Sequence, residues 1–122
     1  MIGRKSLRAQ SATKADLVLR AIAWLDMGHW NGRAMTGLKS KCHEDSDHLA
    51  LIVVLLVRLG GLNTSAACRC LNQPRGRCRW ALAKHHPSQE TVTEWARLIH
   101  EAVLAMERMQ GSETMRSCRR PF

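Results

Sequence analysis

RGRCRWALAKHHPSQETVTEWARLIHEAVLAMERM, residues 75–109, holds two helical patterns that meet across a short break. The first, residues 77–85, carries apolar Trp80, Leu82 and Ala83 among Arg77, Arg79 and Lys84, and it stops at His85-His86-Pro87. Proline disfavours helix at the residue before it, so His86 marks a boundary. Ser88 stands where an N-cap belongs, its hydroxyl placed to accept from an orphan backbone N–H, and Glu90 sets an anion at the positive end of the next helix. Val92, Trp95, Ile99, Val103 and Met106 then recur at spacings of three and four, which makes one apolar stripe, and Gly111 suits a left-handed exit. The pattern predicts a helix-turn-helix at about 77–109 in an all-α, single-domain helical bundle.

In such a unit the early residues of the second helix face the major groove while its stripe packs on the first helix. Gln89, Glu90, Thr91 and Thr93 become the expected base readers, because Gln pairs bidentately with adenine, Glu accepts from cytosine and Thr offers a hydroxyl and a methyl. Arg75, Arg77, Arg79, Lys84 and Arg97 become the expected cations that position the protein on DNA, and Ser88 counts with them among the expected DNA-binding residues. An ordinary helical hairpin with a polar outer face has the same pattern.

Charge supports a polyanionic partner. The 122 residues hold 19 Lys and Arg against 10 Asp and Glu, a formal charge of +9 and a pI near 10.2; nucleic acid is the commonest such partner, and the helix-turn-helix pattern makes it double-stranded DNA. No acidic residue lies between Asp47 and Glu90, whereas Arg58, Arg69, Arg75, Arg77, Arg79 and Lys84 all fall there. Length and composition fit one modest domain.

The five cysteines, an odd number, and a basic, polar start without a leader's apolar run predict a cytoplasmic protein with reduced thiols. Residues 49–57, the longest apolar run, are too few to span a bilayer, so no membrane role is expected.

Along the chain, residues 1–10 read as a flexible basic tail, 11–110 as the helical domain and 111–122 as a second flexible basic tail. Ser11 or Thr13 caps a helix with Leu17, Val18, Ala21, Trp24 and Leu25 at helical spacing, Trp24 acts as a core anchor, and Gly28 closes it. Trp30 stays open between core and binding roles. Residues 29–41, with Gly32, Gly37, Arg33, Lys39 and Lys41, read as a loop containing at most one short helix. Glu44, Asp45, Ser46 and Asp47 precede Leu49 as helix-opening residues should. The LALIVVLLVRL run, residues 49–59, is the expected central buried helix, ended by Gly60 and Gly61, although its Val and Ile content also suits a buried strand. Asn63 or Thr64 caps a short helix through Leu71, stopped by Asn72 and Pro74.

Two clusters invite a metal: Cys42, His43, Asp45, Asp47 and His48, and Cys68, Cys70, Cys78 with His85 or His86. Capping explains the acids of the first, and the second lacks the Cys-x-x-Cys knuckle, so the expectation is buried thiols and no metal or other cofactor, with zinc the alternative. No phosphate loop, nucleophile motif or metalloprotease pair is present, so no enzyme is expected. Asp16, Asp26 and Glu94 read as solvated helix faces.

The order of features resembles the lambdoid-phage Q proteins, the late-gene antiterminators, whose helices resemble those of sigma-factor DNA-binding regions. The resemblance rests on Trp24 in the first helix, the acidic opening of an apolar helix at residues 45–52, and Leu82, Ala83, Lys84, His85, Ser88, Glu90, Thr91 and Val92 before a long closing helix. It covers residues 17–109, with one residue fewer between Ala83 and Ser88 than the usual spacing. It implies a phage DNA-binding transcription regulator in the bacterial host cytoplasm that binds promoter-proximal DNA and RNA polymerase and promotes terminator read-through. The alternative is a small phage inhibitor, of the anti-CRISPR kind, that binds a host or defence protein.

Overall fold

The chain, seen in a computed structural model, is described over residues 13–28 and 32–119, with 109–119 as backbone alone. The expected tail at 1–10, the last three residues of the expected tail at 111–122, Ser11 and Trp30 lie outside the described residues, whereas 111–119 of that expected tail are helix. The described chain is all-helical: α1 (Lys14–Met27), α2 (Gly32–Glu44), α3 (Ser46–Gly60), α4 (Thr64–Cys70), α5 (Arg75–His85) and α6 (Gln89–Arg119). No single helix is long and apolar enough to cross a membrane.

Four of the helices, α1, α3, α4 and α6, begin where a side chain holds an orphan N–H group. Thr13 and Asp16 form a reciprocal capping box, with Asp16 N–H donating to Thr13 Oγ1 at 3.1 Å. Asp45 Oδ1 accepts from the N–H groups of Asp47 and His48 at 3.0 and 3.4 Å. Asn63 Oδ1 accepts from Ala66 at 2.8 Å and Ser88 Oγ from Thr91 at 3.1 Å. Gly28 and Gly61, at φ 79° and 73°, supply the left-handed ends of α1 and α3.

The run at 49–59 forms the centre of the bundle, and α3 packs against each of the other five helices. Its buried residues face every direction, His48, Leu49, Ala50, Ile52, Val53, Val54, Leu55 and Leu56 among them. Gly60 lets α1 lie close: a Cβ there would stand 3.3 Å from Ala15 Cα. The face of α1 that meets α3 is accordingly small, built on Ala15, Val18, Ala21, Ile22 and Ala23. Trp24 is only half-buried and Leu25 is exposed, which corrects their expected inward placement.

Three other expectations change. Residues 32–44 are a continuous helix rather than a loop, because Ala34, Leu38 and Cys42, spaced by four, all bury completely on one side. The closing helix continues through Gly111 to Arg119 instead of ending there. Its stripe, with Val92 and Ile99 buried and Trp95, Val103 and Met106 half-buried, packs on α1 and α3. No Cα of α6 comes within 8 Å of α5 outside the turn. The extended backbone at His86, with ψ 124°, sends the chain away from α5 before α6 begins.

Candidate nucleic-acid interface

α4 and α5, by contrast, do pack together. The turn between them, residues 71–74, contains Asn72 at φ 58°, a left-handed conformation that Asn tolerates better than most residues. Asn72 and Gln73 N–H groups donate back to the carbonyls of Arg69 and Cys68, both at 3.0 Å. Ala67, Cys68, Leu71, Gln73, Cys78 and Ala81 turn inward and bury, so the two short helices form one wedge on α3.

The opposite side of α5 faces solvent with Arg75, Gly76, Arg79, Trp80, Ala83 and Lys84. α5 carries no carboxylate, and among the described residues Arg75 and Arg79 have no hydrogen-bond or acidic partner. The Trp80 indole is 50% exposed, with Lys84 Nζ 4.9 Å from its ring centroid and the His85 ring edge-on to it. Arg75 and Arg79 also border a cleft of about 500 Å³ with Thr64, Ser65 and Asn63 at the start of α4. Of the apolar residues the sequence offers on this helix, Trp80 and Ala83 are exposed and Leu82 is half-buried. Cys78 and Ala81 hold the packed face instead, because they are the small residues on the side turned to α3.

The other expected contacts divide. Arg77 leaves the basic face: its guanidinium donates to the carbonyls of Cys42, at 3.1 Å, and His43, closing the C-terminal end of α2. Gln89 Oε1 accepts from Arg58 at 3.1 Å, and the Thr91 and Ser88 hydroxyls bond each other at 2.8 Å. Arg97 pairs with Glu94 at 2.6 Å and Glu101 at 3.4 Å, so its charge is compensated on its own helix. Glu90 and Thr93 remain exposed.

Cys42, Cys68, Cys70, Cys78, His48 and His85 take separate places in the structure. Cys68 and Cys78 pair as a disulfide, with Cα atoms 6.5 Å apart, where free thiols were expected, since the wedge brings both to its buried seam. Cys70 is half-buried and free, its thiol raised by burial, and Cys42 is buried and free, its thiol pushed up to about 12 by burial with the Asp26 carboxylate adding. His85 Nδ1 meets Asp47 Oδ1 at 2.5 Å. Asp26 is not a solvated face: its side chain is 7% exposed and takes His48 Nε2 at 2.8 Å and Lys41 Nζ at 3.0 Å. Among the described residues no three such groups converge as metal ligands would.

The chain matches no family model, no curated protein and no solved structure. The junction of α4 and α5 is thus known by its geometry alone. The sequence carried a signal for it in small Ala67 and Ala81 on either side of Asn72-Gln73-Pro74, which was legible only as a helix stop.

Proposed function

We propose that the chain is a DNA-binding transcription regulator whose helix-turn-helix is α4, the turn at 71–74 and α5, with α5 as the helix that enters the major groove. The observation that carries this reading is the division of α5 into two sides. Small residues wedge it against α4 and α3, and Arg75, Arg79, Trp80 and Lys84 stand outward with no carboxylate among them. Helix-turn-helix units place their second helix in the groove while the first crosses the backbone, and the hydroxyls of Thr64 and Ser65 beside Arg75 and Arg79 suit a phosphate there. The interface thus lies one helix earlier than the sequence pattern suggests, and α6 serves to hold α1 and α3.

RNA polymerase as second partner, and terminator read-through as the outcome, are what the resemblance to Q proteins adds to this proposal. The outer side of α6, charge-compensated by Glu94, Arg97 and Glu101 and bearing exposed Leu104, is the surface we assign to a protein partner. The same surface serves the inhibitor alternative, which needs no DNA.

Duplex binding followed over a salt series tests the reading. Each lost phosphate contact should reduce the slope of log K against log salt by about 0.9. Lys84→Ala should flatten the slope in this way, Arg75→Ala with Arg79→Ala should weaken binding to a selected duplex strongly, and Arg97→Ala should do neither. Equal binding by parent and double variant would refute the assignment.

A further inference from the structure

We infer that α5 reads guanine, with Arg75 and Arg79 as the specificity-determining residues; the inference rests on the helix-turn-helix reading above. The exposed side of α5 is set apart by what it lacks. Arg75, Gly76, Arg79, Trp80, Ala83 and Lys84 include no Asn, Gln, Asp, Glu, Ser or Thr. Every polar side-chain atom on that side is therefore a donor: two guanidinium forks, an ammonium and an indole N–H.

A donor-only surface fits one base edge best. In the major groove adenine and cytosine each present an amino donor, which needs an acceptor such as Asn, Gln or Glu, and thymine offers a single acceptor beside a methyl. Guanine alone presents two adjacent acceptors, N7 and O6, and the planar fork of Arg meets both at once.

The cations of this region sort by their surroundings. Arg77 is committed to the carbonyls of Cys42 and His43. Lys84 lies over the Trp80 ring in the last turn of α5, away from the end that enters a groove first, and is a positioning residue for phosphate. Arg75 and Arg79 lie at that leading end, exposed and without an acidic partner among the described residues. Four residues of helix rise about 6 Å, and stacked bases rise about 3.4 Å. The two forks therefore address guanines roughly two base steps apart. Ala83 and the Trp80 ring provide the apolar contact that a thymine methyl accepts.

The test is selection of binding sites from random duplex DNA by the full chain, followed by isotherms on the selected site for parent, Arg75→Ala, Arg79→Ala and Arg79→Gln. Parent should select two guanines separated by one or two steps. Each Ala variant should lose preference at one of them, with affinity for that site falling roughly 5- to 100-fold while binding to unrelated duplex changes far less. Arg79→Gln should move its position toward adenine. Replacing the guanine with 7-deazaguanine should weaken parent and leave the matching Ala variant unchanged. A selected site without guanine, or an Ala variant that weakens all duplexes equally, would overturn guanine reading and leave DNA binding by α5 standing. Binding that is indifferent to all these variants would instead remove the helix-turn-helix reading itself.

Discussion

α5 and the first turns of α6 are both polar, both exposed and separated only by residues 86–88, yet their side chains are in opposite states. At the start of α6 three of the functional groups are already occupied: Gln89 holds Arg58, Thr91 holds Ser88, and Arg97 sits between two glutamates. On α5 the outward cations Arg75 and Arg79 have no acidic partner among the described residues. The lesson is that a run of suitable residue types does not make a reading surface. A cation that satisfies a carbonyl or carboxylate of its own chain must give up that bond before it can meet a phosphate or base, which offsets the gain.

The sharpest way to break this comparison is through stability. Ile99 is 2% exposed on the inward side of α6, so Ile99→Ala should cost about 2–5 kcal/mol in a thermal or denaturant melt. Arg75→Ala and Arg79→Ala, on open surface, should stay within about 0.5 kcal/mol of the parent. A costly Arg75→Ala would mean that α5's outer side is structural.

Arg77 sharpens the contrast within α5 itself. Its removal strands two carbonyls at the end of α2, and Arg77→Ala should cost about 1–3 kcal/mol of stability while leaving the salt slope of DNA binding as in the parent. A loss of one phosphate's worth of slope in that variant would return Arg77 to the interface. Beneath this contact lies Cys42, whose raised thiol gives a pH dependence of known sign. The unfolded thiol ionises near 9.0 and the folded one near 12, so the stabilisation is complete below pH 9 and is lost as pH rises between those values. Melts of parent and Cys42→Ala from pH 8 to 11 should show the parent losing more stability with pH; parallel lines would contradict the assignment.

The smallest effects are expected at the start of α6. Gln89→Ala and Thr93→Ala should each change affinity for a selected duplex by less than about threefold, near the size of ordinary surface substitutions.

How much of this was legible in the residues depends on the range of the forces involved. Helix class, the caps at Thr13, Asp45, Asn63 and Ser88, and the central run at 49–59 are local or periodic signals and stand where the sequence places them. What was not legible is which neighbour each stripe meets. The α6 stripe looks the same whether it packs on α5 or on α1 and α3, and only the path at His86 decides between them. Residues 32–44 were hidden by their glycines and cations, since a narrow buried seam of Ala34, Leu38 and Cys42 gives a weak apolar pattern. Asn72 is the same kind of case: its positive φ, which turns a helix stop into a tight junction, is permitted by its side chain but not demanded by it.

One measurement tests the central claim most directly: titration of a selected duplex, at fixed salt, with two double variants that fold like the parent. Arg75→Ala with Arg79→Ala alters α5, and Glu90→Ala with Thr93→Ala alters α6 at the two expected readers left exposed. The account predicts that the α5 variant loses specific binding and that the α6 variant keeps it. Retained binding in the α5 variant together with loss in the α6 variant would place the reading helix at α6 and contradict the account.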